Sequence, residues 1–443
     1  MGRDSKHVFT YLVALAVVGM LGVGGGGGAA ASSDDTRADA AVKITDRGTY
    51  YSVILDYTTG VSPRAMGQAY ARAARRMEPG LEQFIDSCFS TISALPGVYQ
   101  MLIQRARAIR PQIDPAYRDE IEGFASEFSG GDTDVAGDGK LSTDEVYLLN
   151  LLPDIAHVTQ CSAVSVFGAR SATGSTITAR LLDWLPLEQL PKGQTVTTIR
   201  RPGRSVCLIG YVGFQGAITG FNSNGVFASL LDSDTGVPYR NPKGMRSYAL
   251  DLRHALESEG TLSGAASYMA DGNHHYAYNH LVFFSDPHTS KVLENDLTST
   301  GALARTLRSA DSPLSPGVTW GISDALGCVN SYLLPGNHDN HTGDRSNYAR
   351  WQSIRTQLLS KGPVVTRDDV KAIASYHSPK TFDAGQGDIY NSENQMIVIF
   401  EPATMALEVA FRPRNNVLPS VPIFTRVPVS FQSGEGGPHP LVP

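Results

Sequence analysis

The chain has 443 residues, of which 42% are hydrophobic and 18% charged, so it can bury the core of one large domain or two. Its formal net charge of -6 gives no indication of a nucleic-acid partner or an anionic membrane surface. The four cysteines form no CxxC pair and lack histidines at zinc spacing, which argues against a structural zinc site.

The first 32 residues have the pattern of a signal peptide. Arg3 and Lys6 precede a mostly apolar run over 8–23, and small residues suited to signal peptidase follow. The run is short for a membrane span and breaks into glycine, so we expect cleavage rather than a stable membrane anchor. The pattern predicts an exported protein, secreted or periplasmic, in a compartment that permits disulfides.

Residues 33–160 are predicted to be mostly helical. The polar stretch 33–41 is expected to be a disordered lead-in, and 50–56 to be a short strand. Helical periodicity follows over 65–76, 80–94, 98–110, 115–128 and 143–152.

A loop over 134–145 comes close to the spacing of a calcium-binding EF-hand. Its candidate ligands are Asp134, Asp138, Ser142 and Glu145, but the third loop position is an alanine, which cannot bind calcium. Ser142 and Glu145 also have the spacing of a capping box that begins a helix. Both interpretations remain open, with the calcium site as the weaker one.

At residue 161 the pattern changes to short β-branched runs separated by Gly, Pro and Asn. Strands are predicted over 162–167, 176–182, 194–200, 206–211, 216–222, 226–231, 280–285, 291–295, 396–401 and 406–411, and helices over 245–258, 261–269, 349–360 and 366–375. This order predicts stacked antiparallel sheets between helical layers.

Cys161 begins a predicted hairpin. The alternating run 162–167 indicates a strand with one buried face, and a turn connects it to a second strand over 176–182. The antiparallel return places Arg180 and Asp183 beside Cys161, so a thiol, a guanidinium and a carboxylate would converge at one sheet edge. The alternative is a buried structural cysteine with an ordinary ion pair nearby.

This order of Cys, strand, turn and Arg-x-x-Asp resembles the start of the mature chain in a group of N-terminal nucleophile (Ntn) hydrolases. The group contains choloylglycine hydrolases and penicillin acyltransferases, and stretch 179–184 resembles its self-cleaving, acyltransferase-like branch. The resemblance implies an α+β fold, the αββα sandwich of two stacked antiparallel sheets. It also implies a pro-segment or α-subunit over 33–160 and a catalytic chain over 161–443 that remain associated.

The resemblance further implies that the chain is a zymogen cut between Gln160 and Cys161. The cut frees an α-amino group with a reference pKa of about 7.7–8.0, which can accept the proton of the thiol. We expect the Cys161 thiol to attack the preceding carbonyl in an N-to-S acyl shift, followed by hydrolysis. None of the eleven histidines has a papain-like or caspase-like setting that would supply another base.

Four further residues acquire roles through the resemblance. Arg180 would orient the nucleophile and lower the pKa of its thiol, and Asp183 would accept a hydrogen bond from the new α-ammonium. Asn279 would donate its amide to the oxyanion, although an Asn that simply ends a loop is the alternative. Arg350 would support Cys161 and the charges around it.

One position departs from the pattern of the group that the chain resembles. Bile-salt hydrolases place an Asn or Tyr after the hairpin Asn, here Asn222, but this chain has Asp232, whose ionised carboxylate cannot donate to an oxyanion. Asp232 is therefore not in the predicted catalytic set.

With Cys161 as nucleophile, one disulfide among the other cysteines is expected, and Cys207–Cys328 is the favoured pair.

Together these residues predict an exported, self-cleaving hydrolase or acyltransferase that acts on linear amide bonds through a Cys161 thioester. The substrate would be a small N-acyl amide with an apolar acyl group, and no cofactor is expected. One alternative is a lipid amidase or esterase on the same fold. The other is a non-catalytic secreted binding protein, stabilised by calcium through 134–145.

Overall fold

The computed structural model describes residues 33–156, 160–233, 241–297, 305–337, 341 and 343–432. The predicted signal peptide, residues 1–32, lies outside them. Across these ranges, no helix combines the length and the apolar character needed to cross a membrane.

The N-terminal segment contains helices and a short strand near 50–56, as predicted, and one further strand, which precedes it. Its elements are α1 (Ser33–Ala41), β1 (Val42–Asp46), β2 (Tyr51–Asp56), α2 (Pro63–Met77), α3 (Leu81–Ile92), α4 (Val98–Ile109), α5 (Pro115–Ala125) and α6 (Thr143–Ile155). The prediction of disorder over 33–41 was wrong. Ala38 of α1 is fully buried, and Arg72 of α2 forms an ion pair with Asp39 at 2.8 Å, so tertiary contacts order this polar stretch.

The remainder of the chain supplies most of the strands. They are β3 (Gln160–Val166), β4 (Ile177–Asp183), β5 (Gln194–Arg200), β6 (Val206–Tyr211), β7 (Thr219–Asn222), β8 (Phe227–Asp232), β9 (His280–Ser285), β10 (Ser290–Asn295), β11 (Thr306–Arg308), β12 (Ala325–Cys328), β13 (Asn394–Glu401), β14 (Ala406–Phe411) and β15 (Thr425–Val427). The helices are α7 (Tyr248–Ser258), α8 (Leu262–Met269), α9 (Arg345–Ser360) and α10 (Arg367–Ala374).

The strands form two sheets. The nine-stranded sheet has the order β1-β2-β5-β6-β7-β8-β9-β10-β11, and the six-stranded sheet has the order β12-β3-β4-β13-β14-β15. Neighbouring strands are antiparallel, as predicted, except that β2 and β5 pair in parallel. A parallel pair needs a crossover connection, and here it is supplied by the helices of the N-terminal segment together with the β3–β4 hairpin.

The apolar core lies in three clusters that define four layers. One cluster joins α1–α8 to the outer face of the nine-stranded sheet. The second lies between the sheets, where Phe221 stacks on Phe400 with ring centroids 4.0 Å apart. The third packs α9 and α10 on the six-stranded sheet, with Trp351 fully buried. The predicted αββα sandwich is thus the observed architecture.

This layering corrects the prediction that the Cys161 strand has one buried face. Cys161 and Ala163 face the core between the sheets, whereas Val164 and Val166 face α9 and α10. Successive strand side chains point to opposite sides, and here a layer of the protein covers each side.

The predicted Cys207–Cys328 disulfide was also wrong, because neither cysteine forms a disulfide. Cys207 lies in β6 and Cys328 in β12, on different sheets, and both pack in the core between the sheets as small apolar side chains. Burial raises the pKa of each thiol to about 12.

Within loop 134–145 the capping-box interpretation is the one observed. Ser142 Oγ accepts the N–H of Glu145 at 3.1 Å, and Glu145 Oε2 accepts the N–H of Ser142 at 2.7 Å. Asp134 accepts a hydrogen bond from the Ser142 hydroxyl, and Asp138 accepts one from the N–H of Lys140. The candidate calcium ligands thus bind groups of the chain itself, and no cluster of three or more His, Cys, Asp or Glu in the described ranges is arranged to hold a metal.

A buried ion pair ties the N-terminal segment to the rest of the protein. Glu120 of α5 accepts two hydrogen bonds from Arg253 of α7, at 2.8 and 3.1 Å, and both side chains are almost fully buried. Removing one partner of such a pair leaves a buried charge uncompensated.

We therefore expect Arg253→Met to lower the free energy of unfolding by about 3–5 kcal/mol, visible as a lower urea midpoint. Arg64→Met is the matched control, because the Arg64 side chain is 52% exposed and 3.5 Å from Glu122. Its effect should stay within about 0.5 kcal/mol. Equal midpoints for the two variants would contradict a stabilising role for the buried pair.

Candidate active site

The β3–β4 hairpin places the predicted residues around Cys161. Gln160 lies opposite Asp183, Cys161 opposite Leu182, and Ala163 opposite Arg180. The side chains of Cys161 and Arg180 therefore approach each other diagonally across the two strands.

Arg180 contacts the thiol directly. Its Nη2 lies 3.3 Å from Cys161 Sγ and also donates to the carbonyl of Leu230 on β8 at 3.1 Å. Cys161 and Arg180 are each only 1% exposed. A guanidinium at this distance in a buried site favours the thiolate over the thiol.

Arg350 and Asn330 hold the backbone of Cys161. The N–H of Cys161 donates to Asn330 Oδ1 at 2.7 Å. Arg350 Nη1 donates to the Cys161 carbonyl at 2.7 Å and to Ser162 Oγ at 2.8 Å. Its Nη2 donates to Asn330 Oδ1 at 3.1 Å and to Asn347 Oδ1 at 2.9 Å. The position of Cys161 is thus fixed on both sides of its Cα.

Asn330 was missed by the sequence analysis. It follows β12, a four-residue strand that was not predicted, and its Nδ2 donates to the carbonyl of Asp232 at 2.7 Å. The only feature of the sequence that points to Asn330 is its position two residues after the short strand β12. The pairing of β12 with β3, which brings Asn330 to Cys161, is a long-range contact.

Asp183 is fully buried at the end of β4. Its two carboxylate oxygens accept hydrogen bonds from Asn391 Nδ2 at 3.0 Å and Asn394 Nδ2 at 2.9 Å. Burial raises the pKa of Asp183, while the charge of Arg350 and the two amides lower it in part. Asp183 lies opposite Gln160, the residue before Cys161, rather than opposite Cys161 itself. Its role toward an α-ammonium remains a prediction.

Asn279 lies at the head of β9. Its amide donates to Asp296 Oδ1 at 3.1 Å, and its side-chain oxygen accepts the N–H of Leu297 at 3.1 Å. The next residue, His280, pairs with Asp232, whose carbonyl binds Asn330. Asn279 therefore directly precedes a strand that lies next to the site, and its oxyanion role remains a prediction.

An apolar cavity of about 110 Å³ opens beside these residues. Arg180 and Leu182 of the hairpin form one wall, and β6 and β8 contribute to another. Helices α3 and α6 of the N-terminal segment close it, with side chains such as Phe89 and Leu152. Cys161 itself does not line the cavity, which approaches the thiol through Arg180, and the cavity can hold an apolar group beside that arginine.

Comparisons with known proteins identify distant structural likenesses. No family model and no curated protein matches the chain. An N-acylethanolamine-hydrolyzing acid amidase ortholog from Caenorhabditis elegans is similar at 16% identity and a TM-score of 0.40, covering 55% of this chain and 93% of its own.

Two bacterial structures are similar at the same level. A mutant of the conjugated bile acid hydrolase from Clostridium perfringens has 11% identity and a TM-score of 0.36, covering 62% of this chain and 99% of its own. Penicillin V acylase from Agrobacterium tumefaciens has 10% identity and a TM-score of 0.35, covering 57% and 83%. The fold assignment rests on the sheets and layers described above.

The Arg180–Cys161 contact predicts that Arg180→Met shifts thiolate formation to higher pH, by about 1–3 pH units, because a positive charge is lost beside the sulfur. Arg180→Lys is the control that keeps the charge, and it should shift less. Ultraviolet thiolate absorbance during a pH titration measures the change, with all proteins in the same cleaved or uncut state.

The titration isolates one thiol, because burial raises the pKa of Cys88, Cys207 and Cys328 to about 12. An unchanged titration in Arg180→Met would show that the guanidinium does not act on the nucleophile.

Proposed function

We propose that this protein is an exported, self-cleaving hydrolase or acyltransferase of linear amides, with Cys161 as the nucleophile. The observation that carries the proposal is the Cys161 thiol at 3.3 Å from a buried guanidinium, held at its own N–H and carbonyl by Asn330 and Arg350. A cysteine that only fills a core needs neither a charged neighbour nor a fixed backbone.

The proposal includes self-cleavage at Gln160–Cys161. The Cys161 sulfur adds to the carbonyl carbon of Gln160, the C–N bond breaks, and the nitrogen takes the proton to become the free α-amine. Water then hydrolyses the thioester to the Gln160 carboxylate and the free thiol. The amine accepts the thiol proton in later turnovers. Asn330, which binds this nitrogen before the cut, would keep it near the sulfur.

The turnover reaction repeats this chemistry on an external amide. The thiolate attacks the acyl carbonyl, the amine leaves with a proton, and a Cys161 thioester remains. Water completes hydrolysis, whereas a second amine completes acyl transfer. The apolar cavity supports an apolar acyl group, which also fits the alternative of a lipid amidase or esterase on this fold.

The two fragments would stay together after the cut. Residues of α2–α6 share one core with the nine-stranded sheet, and β2 pairs with β5. The predicted signal peptide supports export, to the cell exterior or the periplasm. A non-catalytic binding protein is the alternative if the chain stays intact.

The decisive experiment compares purified wild type with Cys161→Ala by intact mass and denaturing gel. Wild type should give two fragments, the larger beginning at Cys161, and Cys161→Ala should give one uncut chain. Cys207→Ala is the matched control and should be cut normally, because Cys207 lies in β6, on the other sheet from Cys161, and does not line the cavity. An uncut wild-type chain would remove the free amine and favour the binding-protein alternative.

For the cut protein, we expect both fragments to elute together in native size-exclusion chromatography, because separation would expose the shared core to water. Running the same sample in urea should separate them and serves as the control. Separation without denaturant would contradict the association of the two fragments.

A further inference from the structure

Gln160, the residue before the proposed cut, is held through its side chain as well as its backbone. Ser346 of α9 donates its hydroxyl to Gln160 Oε1 at 2.9 Å. Gln160 is also the first residue of β3, where it pairs with Asp183. The ends of secondary-structure elements open more easily than their interiors, so backbone pairing alone holds this position weakly. The hydrogen bond from Ser346 therefore adds a second contact beside the scissile bond.

The same helix also holds the other side of the scissile bond. Arg350 lies one turn after Ser346 on α9, at the i+4 position, so the two side chains share a face of the helix. Arg350 Nη1 donates to the carbonyl of Cys161 at 2.7 Å. Helix α9 thus contacts Gln160 through Ser346 and Cys161 through Arg350.

The Ser346 hydroxyl is not the cap of its own helix. Asp344 has that role, because its Oδ1 accepts the N–H of Asn347 at 2.8 Å in the first turn of α9. The Ser346 hydroxyl instead binds a side chain on a strand 186 residues earlier in the chain. Its contact with Gln160 is therefore a tertiary one, available for a task outside the helix.

The cutting step depends on how the Gln160 carbonyl is oriented. The peptide group is planar, so the direction of this carbonyl is set by the backbone torsions of Gln160 and Cys161 on either side. For attack, the sulfur must lie about 3–3.5 Å from the carbonyl carbon in a suitable direction. Because Asn330 and Arg350 hold Cys161, the remaining freedom lies at Gln160. A contact that restricts Gln160 lowers the entropy that is lost on reaching the attack geometry.

We infer that Ser346 is a positioning residue for self-cleavage, which orients the Gln160 carbonyl toward Cys161 Sγ by holding the Gln160 side chain. The inference rests on the self-cleavage of the proposed function and adds the residue that holds the acyl side of the scissile bond. In the step, a bond forms between sulfur and the Gln160 carbonyl carbon, the C–N bond breaks, and the nitrogen takes the proton. Ser346 forms no bond to these atoms and gives up no proton, so its loss slows the cut without abolishing it.

The test measures the rate of the cut in the full chain. The protein is made by cell-free translation, synthesis is stopped, and the uncut fraction is followed with time on denaturing gels. We expect Ser346→Ala to slow the cut about three- to tenfold, because one hydrogen bond that orients the carbonyl is lost. Ser346→Thr keeps the hydroxyl and should restore most of the rate.

Ser360→Ala is the matched control on the same helix. Ser360 ends α9, and its exposed hydroxyl donates to the carbonyl of Gln357 at 2.7 Å, so the rate of the cut should not change. Melting temperatures are compared in proteins that also carry Cys161→Ala, in which every chain is expected to stay uncut. A general loss of folding in Ser346→Ala would appear in that comparison.

A double-mutant cycle with Gln160→Met distinguishes positioning from a general structural effect. Gln160→Met removes the acceptor oxygen and keeps the length of the side chain, so it should slow the cut as Ser346→Ala does. The double variant should be no slower than either single variant, because both changes remove the same hydrogen bond. If the two slowing factors multiply, or if Ser346→Ala is cut as fast as wild type, the inference is overturned and self-cleavage stands. A wild-type chain that stays uncut overturns both the proposed self-cleavage and this inference.

Discussion

The buried guanidinium of Arg350 is the interaction on which the geometry of the site depends. It lies in α9, outside the sheets, yet it reaches the Cys161 carbonyl, Ser162 Oγ and Asn330 Oδ1. A charge this deeply buried is tolerated only when acceptors surround it, and those acceptors belong to different elements. One residue thereby fixes the start of β3, the loop after β12 and the helix relative to each other. Cys161 acquires its orientation from long-range structure rather than from its own strand.

The local sequence pattern was sufficient to predict much of the fold. The strands β5, β6, β9 and β14 were predicted with their observed bounds, because each is a β-branched or aromatic run ended by turn residues. The predicted hairpin placed Arg180 and Asp183 correctly near Cys161, since antiparallel pairing after a short turn leaves the register of the two strands little freedom. Asn330 could not be found in this way, because it reaches Cys161 through the pairing of β12 with β3, and four residues carry almost no periodicity. The helix over 33–41 was missed because ion pairs with α2, rather than its own propensity, order it.

The N-terminal segment contributes to chemistry as well as to stability. Helices α3 and α6 form one side of the cavity, while the hairpin forms the other. The shape of the cavity is therefore set by residues from both sides of the proposed cut. The nucleophile, its charged neighbour and its backbone partners all lie on one side of it. Changes in the segment would alter which acyl group fits while leaving the reacting atoms in place.

The parallel pairing of β2 with β5 also bears on solubility. In the sheet order, β5 separates β6 from the two strands of the N-terminal segment. Without that segment, β5 would be an edge strand with its backbone N–H and C=O groups unpaired, and such edges recruit strands from other molecules. The segment therefore acts as a built-in edge cap. Its departure would leave the part of the protein that begins at β3 prone to aggregate, however well the surroundings of Cys161 were formed.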